Sequence, residues 1–156
     1  MGIFKRIDSS GFVLTTGERA LMRAEIAGGF ALATTQALHL WTQNSKRIEW
    51  WQINRVSFDS QDLRLVIAGS DVANEIHLTV PSKIAEVIRE RVTATILTSI
   101  IYLTPSRARA VISVRRRNRK GADETFVEIE WQGDPTPKAI AEADQRGQSL
   151  LKQALA

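Results

Sequence analysis

From Ala20 to Val80 the chain alternates apolar and polar residues in short runs cut by glycine-rich or polar turns, the pattern of antiparallel strands joined by hairpins. Ala20 to Ile26 reads as a strand, Gly28-Gly29 as a tight turn, Phe30 to Thr34 as the next strand and Ala37 to Thr42 as a third, which makes a β-meander. In the third strand Leu38 and Leu40 share one face while His39 and Trp41 share the other, so the leucines are core candidates. Further on, Leu63, Leu65 and Ile67 alternate with Arg64, Val66 and Ala68, and Ile76, Leu78 and Val80 alternate with Glu75, His77 and Thr79. Between these runs lies Ile48 to Phe58, where the period-two pattern slips near Gln52. That stretch reads as the central strand of the sheet, with a bulge or a corner at the slip. Ahead of the meander, Ser9-Ser10-Gly11 and Thr15-Thr16-Gly17 mark loops around a short strand at Phe12 to Leu14. Strands this short at hairpin spacing imply a sandwich or a partly open barrel.

The period changes after Pro81. Ser82 is placed to cap a helix whose apolar side carries Ile84, Val87, Ile88, Val92 and, if the helix extends that far, Ile96; Lys83, Glu86, Arg89, Glu90 and Arg91 form its polar side. The β-branched run that follows ends the helix between Thr95 and Ser99, with Ile100 to Leu103 extended. A hairpin comes next: Ala108, Ala110, Ile112 and Val114 share one face, Asn118 to Glu124 forms the turn, and the return strand turns Val127, Ile129 and Trp131 inward. After Gly133-Asp-Pro-Thr-Pro137, Thr136 is the expected N-cap of a last helix running towards Leu155. Its stripe is narrow and made mostly of small groups, so it must dock on something.

Composition narrows the chemistry. The 156 residues include no cysteine, which closes off disulfides, thiolate nucleophiles and zinc-thiolate sites and fits a reducing cytoplasm. The first residues lack the apolar core of a signal peptide, and no run approaches the roughly 18 apolar residues that span a bilayer. A cytoplasmic protein with no transmembrane segment is expected. The net charge of +4 is mild, because acids are interspersed among the bases.

Three stretches sharpen the fold expectation. Gly17-Glu-Arg-Ala-Leu21, Ala33-Thr-Thr-Gln-Ala-Leu-His-Leu40 and Arg47-Ile-Glu-Trp-Trp-Gln-Ile-Asn-Arg-Val56 resemble the corresponding parts of bacterial pleckstrin-homology-like (PH/GRAM-like) domains. The segment Val87-Ile-Arg-Glu-Arg-Val-Thr-Ala-Thr-Ile96 is similar to small uncharacterised actinobacterial proteins of that kind. The resemblance covers roughly residues 15 to 100 and implies an α+β, mostly β fold: an antiparallel sandwich or partly open barrel capped by a helix. On that reading residues 1–105 are the PH-like barrel, with its capping helix at about 82–98. Residues 106–156 are then a β-hairpin plus C-terminal helix packed on the same domain. PH domains that bind inositol phosphates cluster basic residues on the first strand pair and its loop; here that loop, Ala27-Gly28-Gly29, carries none.

The local feature with chemical character is the basic run Arg115, Arg116, Arg117, Asn118, Arg119, Lys120. It offers phosphate-gripping cations for nucleic acid or an acidic membrane surface. It also offers an ordinary ion-paired hairpin, with Arg117 facing Glu128 and Arg115 facing Glu130. His39 and His77 stand in separate strands without a third ligand or base at a recognisable spacing, and Glu49 with Asp59 is a carboxylate pair that nothing orients. No nucleophile, metal or cofactor constellation is legible, so the expectation is a noncatalytic interaction module without a cofactor, engaged in protein binding or self-association. One of Trp50 and Trp51 must point away from the core if their segment is extended, so Trp51, with Ile140, Ala143, Leu150 and Leu151 on the last helix, is a candidate interface.

Overall fold

The computed structural model describes residues 5–7, 12–119 and 121–156. They are mostly β with two α-helices, every strand pair is antiparallel, and no sheet among the described residues closes into a barrel. The chain divides into two compact units, Met1–Thr93 and Ala94–Ala156.

In the first unit, β1 (Lys5–Ile7) pairs with β2 (Val13–Thr15). The meander then runs β3 (Ala20–Ile26), β4 (Gly29–Thr34), β5 (Ala37–Trp41) and β6 (Ser45–Glu49) in sequential order across a four-stranded sheet. A second meander, β7 (Arg55–Asp59), β8 (Arg64–Ala68) and β9 (Ala73–His77), makes a three-stranded sheet. The two sheets meet where Ile26 bridges Leu78 and the Ala27 N–H donates to the His77 carbonyl at 2.8 Å.

They are also joined covalently through a corner, and this corrects the expectation of a central strand at Ile48 to Phe58. β6 and β7 are edge strands of different sheets, and Trp50–Gln52 between them is one turn of 3-10 helix. The slip at Gln52 is the place where the chain changes sheet. Gln52 holds the corner by accepting the Glu49 N–H on its Oε1 at 2.9 Å, and the buried Trp50 indole donates to the Thr34 carbonyl at 3.0 Å. Gly69 lies so near this corner that a Cβ there would stand 1.8 Å from the Gln52 carbonyl oxygen, so only glycine fits.

The core of this unit is built from inward residues of both sheets, among them Leu38, Leu40, Ile48, Leu65, Ile67 and Ile76, and it is covered by α1 (Ile84–Ala94) through Ile84, Ile88 and Val92. Ser82 Oγ accepts the Ile84 N–H at 3.1 Å, as its capping place requires. The helix is shorter than the 82–98 expected. It stops at Ala94, and the β-branched run forms a strand from Ile96, because period-two side chains satisfied by a neighbouring ladder outweigh one more helical turn.

In the second unit, β10 (Ile96–Leu103), β11 (Arg109–Arg119) and β12 (Ala122–Gln132) form a three-stranded sheet in that order, and α2 (Pro137–Leu155) lies on one face. Ile100 and Tyr102 therefore belong to the same ladder as the hairpin. Thr136 Oγ1 caps α2 by accepting the Ala139 N–H at 3.1 Å, with Pro137 next. Ala110, Ile112 and Val114 are buried beneath Ala143 and Leu150, with Val127, Ile129 and Trp131 packed around them. Gly147 sits at the closest approach, where a Cβ would lie 2.6 Å from Val127 Cγ1.

Candidate functional site

The hairpin turn expected at Asn118 to Glu124 is tighter than the sequence suggests. The ladder continues to the Arg119 and Ala122 pair, so residues 120 and 121 alone connect the strands, with Gly121 at φ +80°. In this register Arg115 stands opposite Phe126, and Arg117 opposite Glu124. The expected pairs of Arg117 with Glu128 and Arg115 with Glu130 are thus replaced by Arg115 with Glu128 at 3.0 Å and Arg117 with Glu124 at 3.1 Å. Arg115 is buried. Its Nη1 donates to both Glu128 oxygens and its Nε and Nη2 donate to Thr95 Oγ1 at 3.0 and 2.7 Å, so one guanidinium ties three segments of the unit. The Arg117 guanidinium also lies over the Phe126 ring, 4.6 Å from its centre. Arg116 is exposed. The Arg119 side chain and Lys120 lie outside the described residues.

Of the residues picked as an interface, Ala143 and Leu150 are buried against their own sheet and Leu151 is half-buried there, so the docking that α2 requires is met within its unit. Ile140 is exposed. Trp51 is half-buried at the corner and donates its indole N–H to Glu49 Oε2 at 2.6 Å, which engages Glu49 locally; Asp59 accepts the Gln61 and Asp62 N–H groups in a turn.

A different surface stands out. β10 is an edge of its sheet and reads Ile-Leu-Thr-Ser-Ile-Ile-Tyr-Leu, eight residues without a charge, proline or glycine. Ile101 and Leu103, on the face away from α2, are 57 % and 69 % exposed, and Ile96 and Leu97 are exposed at the other end. The Thr104 N–H donates to the Ala108 carbonyl at 2.9 Å, and the alternation of an antiparallel ladder counts back from there. Even-numbered residues direct their backbone groups to β11; Ser99, Ile101 and Leu103 direct theirs to the open edge. Such an edge is a template for another strand. Its signal in the sequence is the absence of charge from Thr93 to Pro105, a run that begins inside the expected helix.

The first unit contains a buried polar network that the sequence did not announce. Glu18 is fully buried; its Oε2 is 2.8 Å from His39 Nε2 and accepts the Thr34 hydroxyl, while its Oε1 accepts the Thr15 N–H at 3.0 Å and lies 3.8 Å from Arg47 Nη2. Burial pushes the carboxyl up, but the hydrogen bonds from His39, Thr34 and the Thr15 N–H, with the Arg47 charge, outweigh it and hold its pKa at about 2. His39 is itself buried, edge-on to Phe12 with ring centres 5.9 Å apart. The network fastens the segment after β2 to the β4–β5 turn and to β6, a bracing role. His77 lies apart and exposed, 3.4 Å from Glu75, which also pairs with Arg64. Between the sheets is a cleft of about 350 Å³ lined by Ile26, Leu40 and Ile76 with Asn44, Lys46 and Asn74. Lys46 Nζ donates across it to Asn74 Oδ1 at 3.0 Å.

No helix among the described residues is long and apolar enough to cross a membrane. Compared with known proteins, the chain matches no family model, no curated protein and no solved structure.

Proposed function

We propose that this chain is a noncatalytic, PH-like interaction module of the cytoplasm whose contact surface is the open edge of β10. The resemblance to PH-like domains implies antiparallel strands in a sandwich or partly open barrel followed by a capping helix; the two antiparallel meanders and the helix that covers their core are in keeping with that and support the first part of the reading. The single observation that carries the second part is the uncharged edge with Ile101 and Leu103 exposed along it, since an unprotected edge gains hydrogen bonds and apolar burial when an extended segment joins it. Anion binding by the arginine run, to nucleic acid or an acidic membrane, is the second reading, and the exposure of Arg116 favours it. Arg115 and Arg117 already face carboxylates, so that reading depends on Arg116, Arg119 and Lys120.

A display library of random extended peptides, panned on the immobilised protein, tests the leading reading. Enrichment of alternating apolar segments whose binding is lost with Ile101→Lys is the expected result. Enrichment that Ile101→Lys leaves unchanged contradicts it. For the second reading, nucleic acid or acidic vesicles should bind in a salt-dependent way that Arg116→Glu weakens.

A further inference from the structure

We infer that the strand which joins β10 is the β10 of a second copy of this chain, antiparallel to the first, with a two-fold axis at Ile101. The inference rests on reading β10 as the contact edge. Within the regular part of β10, beyond the irregularity between Ile96 and Thr98, the residues that turn backbone groups outward are Ser99, Ile101 and Leu103. These three are symmetric about Ile101. An antiparallel copy centred there sets Ile101 against Ile101, Ser99 against Leu103 and Leu103 against Ser99, and every outward N–H and C=O finds a partner.

The same register respects the faces of the sheet. Odd residues meet odd and even meet even, so Ile100 of one copy meets Tyr102 of the other on the face that α2 covers, and both helices stay on one side of a six-stranded sheet. A register displaced by one residue would break this by turning each apolar set to the wrong face.

Charge also favours a copy over a foreign partner. The edge has no charge that would call for an opposite one. Beside it runs a groove of about 510 Å³ lined by Ile100, Leu150, Glu142, Gln145, Arg146 and Gln153. It presents one acid and one base, which pair with each other at 3.2 Å. A two-fold axis brings such a face against itself with both signs available on each side, whereas a partner of single-sign charge would meet a like charge.

The six residues from Thr98 to Leu103 extend about 20 Å at ~3.3 Å per residue. That line of contact alone falls short of the roughly 800 Å² per partner of a standard interface. The grooves along α2 supply the remainder, and a dimer that dissociates in the micromolar range is expected.

The chain has no cysteine, so a single introduced one reports the register. The test is light scattering in line with chromatography on the full chain across the micromolar range, together with air oxidation of Ile101→Cys and Ser99→Cys. Facing Ile101 positions would have Cα atoms about 5.5 Å apart, within disulfide reach, while the two Ser99 positions would be separated by four residues along the strands.

The expected result has three parts. The wild type shifts from monomer to dimer with concentration, Ile101→Cys oxidises to a covalent dimer while Ser99→Cys does not, and Ile101→Lys stays monomeric with an unchanged circular dichroism spectrum. A wild type that is monomeric throughout overturns the inference, as does a dimer that Ile101→Lys leaves intact or one that Ser99→Cys traps faster than Ile101→Cys. If the wild type is monomeric and displayed peptides still bind β10, self-pairing fails and the interaction module stands. If neither is seen, both fail.

Discussion

β6 and β10 are both edge strands, yet they are guarded in opposite ways. β6 reads Ser-Lys-Arg-Ile-Glu, with Lys46 reaching to Asn74 and Arg47 to Gln36 and Glu18. Another strand could approach it only by displacing or facing those charges. β10 has no charge along its length, and Arg115, opposite Ile96 in the neighbouring β11, is buried. A charge on an edge prevents pairing, whereas a charge inside the neighbouring strand fixes register and leaves the edge open. The two units therefore use their buried ionic groups for the same bracing purpose but differ in what their edges invite.

The largest effect on stability should come from removing that buried guanidinium. Arg115→Ala takes a partner from Glu128 and from Thr95 together and should cost about 3–5 kcal/mol in urea unfolding. A loss under about 1 kcal/mol would show that the pair does not brace the sheet beside β10.

Next comes Glu18, the brace behind β6. Its carboxyl, ordinarily at 4.5, is held at about 2 in the folded chain. A lowered folded pKa contributes stability that is fully present above the unfolded value and is lost as pH falls from there through about 2. The contribution is about 3 kcal/mol, and His39, Thr34, the Thr15 N–H and Arg47 are the groups that supply it. Glu18→Gln should therefore be destabilising near neutral pH, and the gap to the wild type should close as the pH approaches 2. A gap that does not change with pH would contradict the assignment.

A smaller effect is expected where α2 meets the β10 sheet. Gly147→Ala gains about 1 kcal/mol of helix propensity but presses a methyl onto Val127, and overpacking of this kind costs about 1–3 kcal/mol. The net should be a modest loss, relieved when Val127→Ala is added; equal losses with and without the second change would mean the contact is not the cause. Smallest of all, Ile101→Lys should alter monomer stability by no more than about 0.5 kcal/mol, because the site is exposed, while removing association. Global unfolding by Ile101→Lys would show the residue to be structural.

Much of this architecture could be read from side-chain period. The meander of β3 to β5, the inward Leu38 and Leu40, the slip at Gln52, the cap at Ser82 and the inward face of β11 all follow from patterns a few residues long. What was lost depended on partners far away in sequence. The Ile96 to Leu103 run has the β-branched content of a strand, but its assignment turns on β11 being there to pair with it. The ion pairs of Arg115 and Arg117 differ from those expected because they follow the register of the ladder, which runs on to the Arg119 and Ala122 pair and sets Arg117 opposite Glu124. Glu18 gave no local hint, since its burial is set by His39 and Thr34 on other strands. The open edge of β10 was legible only as missing charge, a signal without meaning until the strand is known to be at an edge.

Amide hydrogen exchange on the wild type at low and high protein concentration, read residue by residue, compares the two edges in one experiment. The Ser99, Ile101 and Leu103 amides should exchange fast when dilute and become protected as concentration rises, while the outward amides of β6 should exchange at the same rate throughout. Protection that appears on β6 instead, or β10 amides whose exchange does not change with concentration, would contradict the claim that the uncharged edge is where this protein meets its partner.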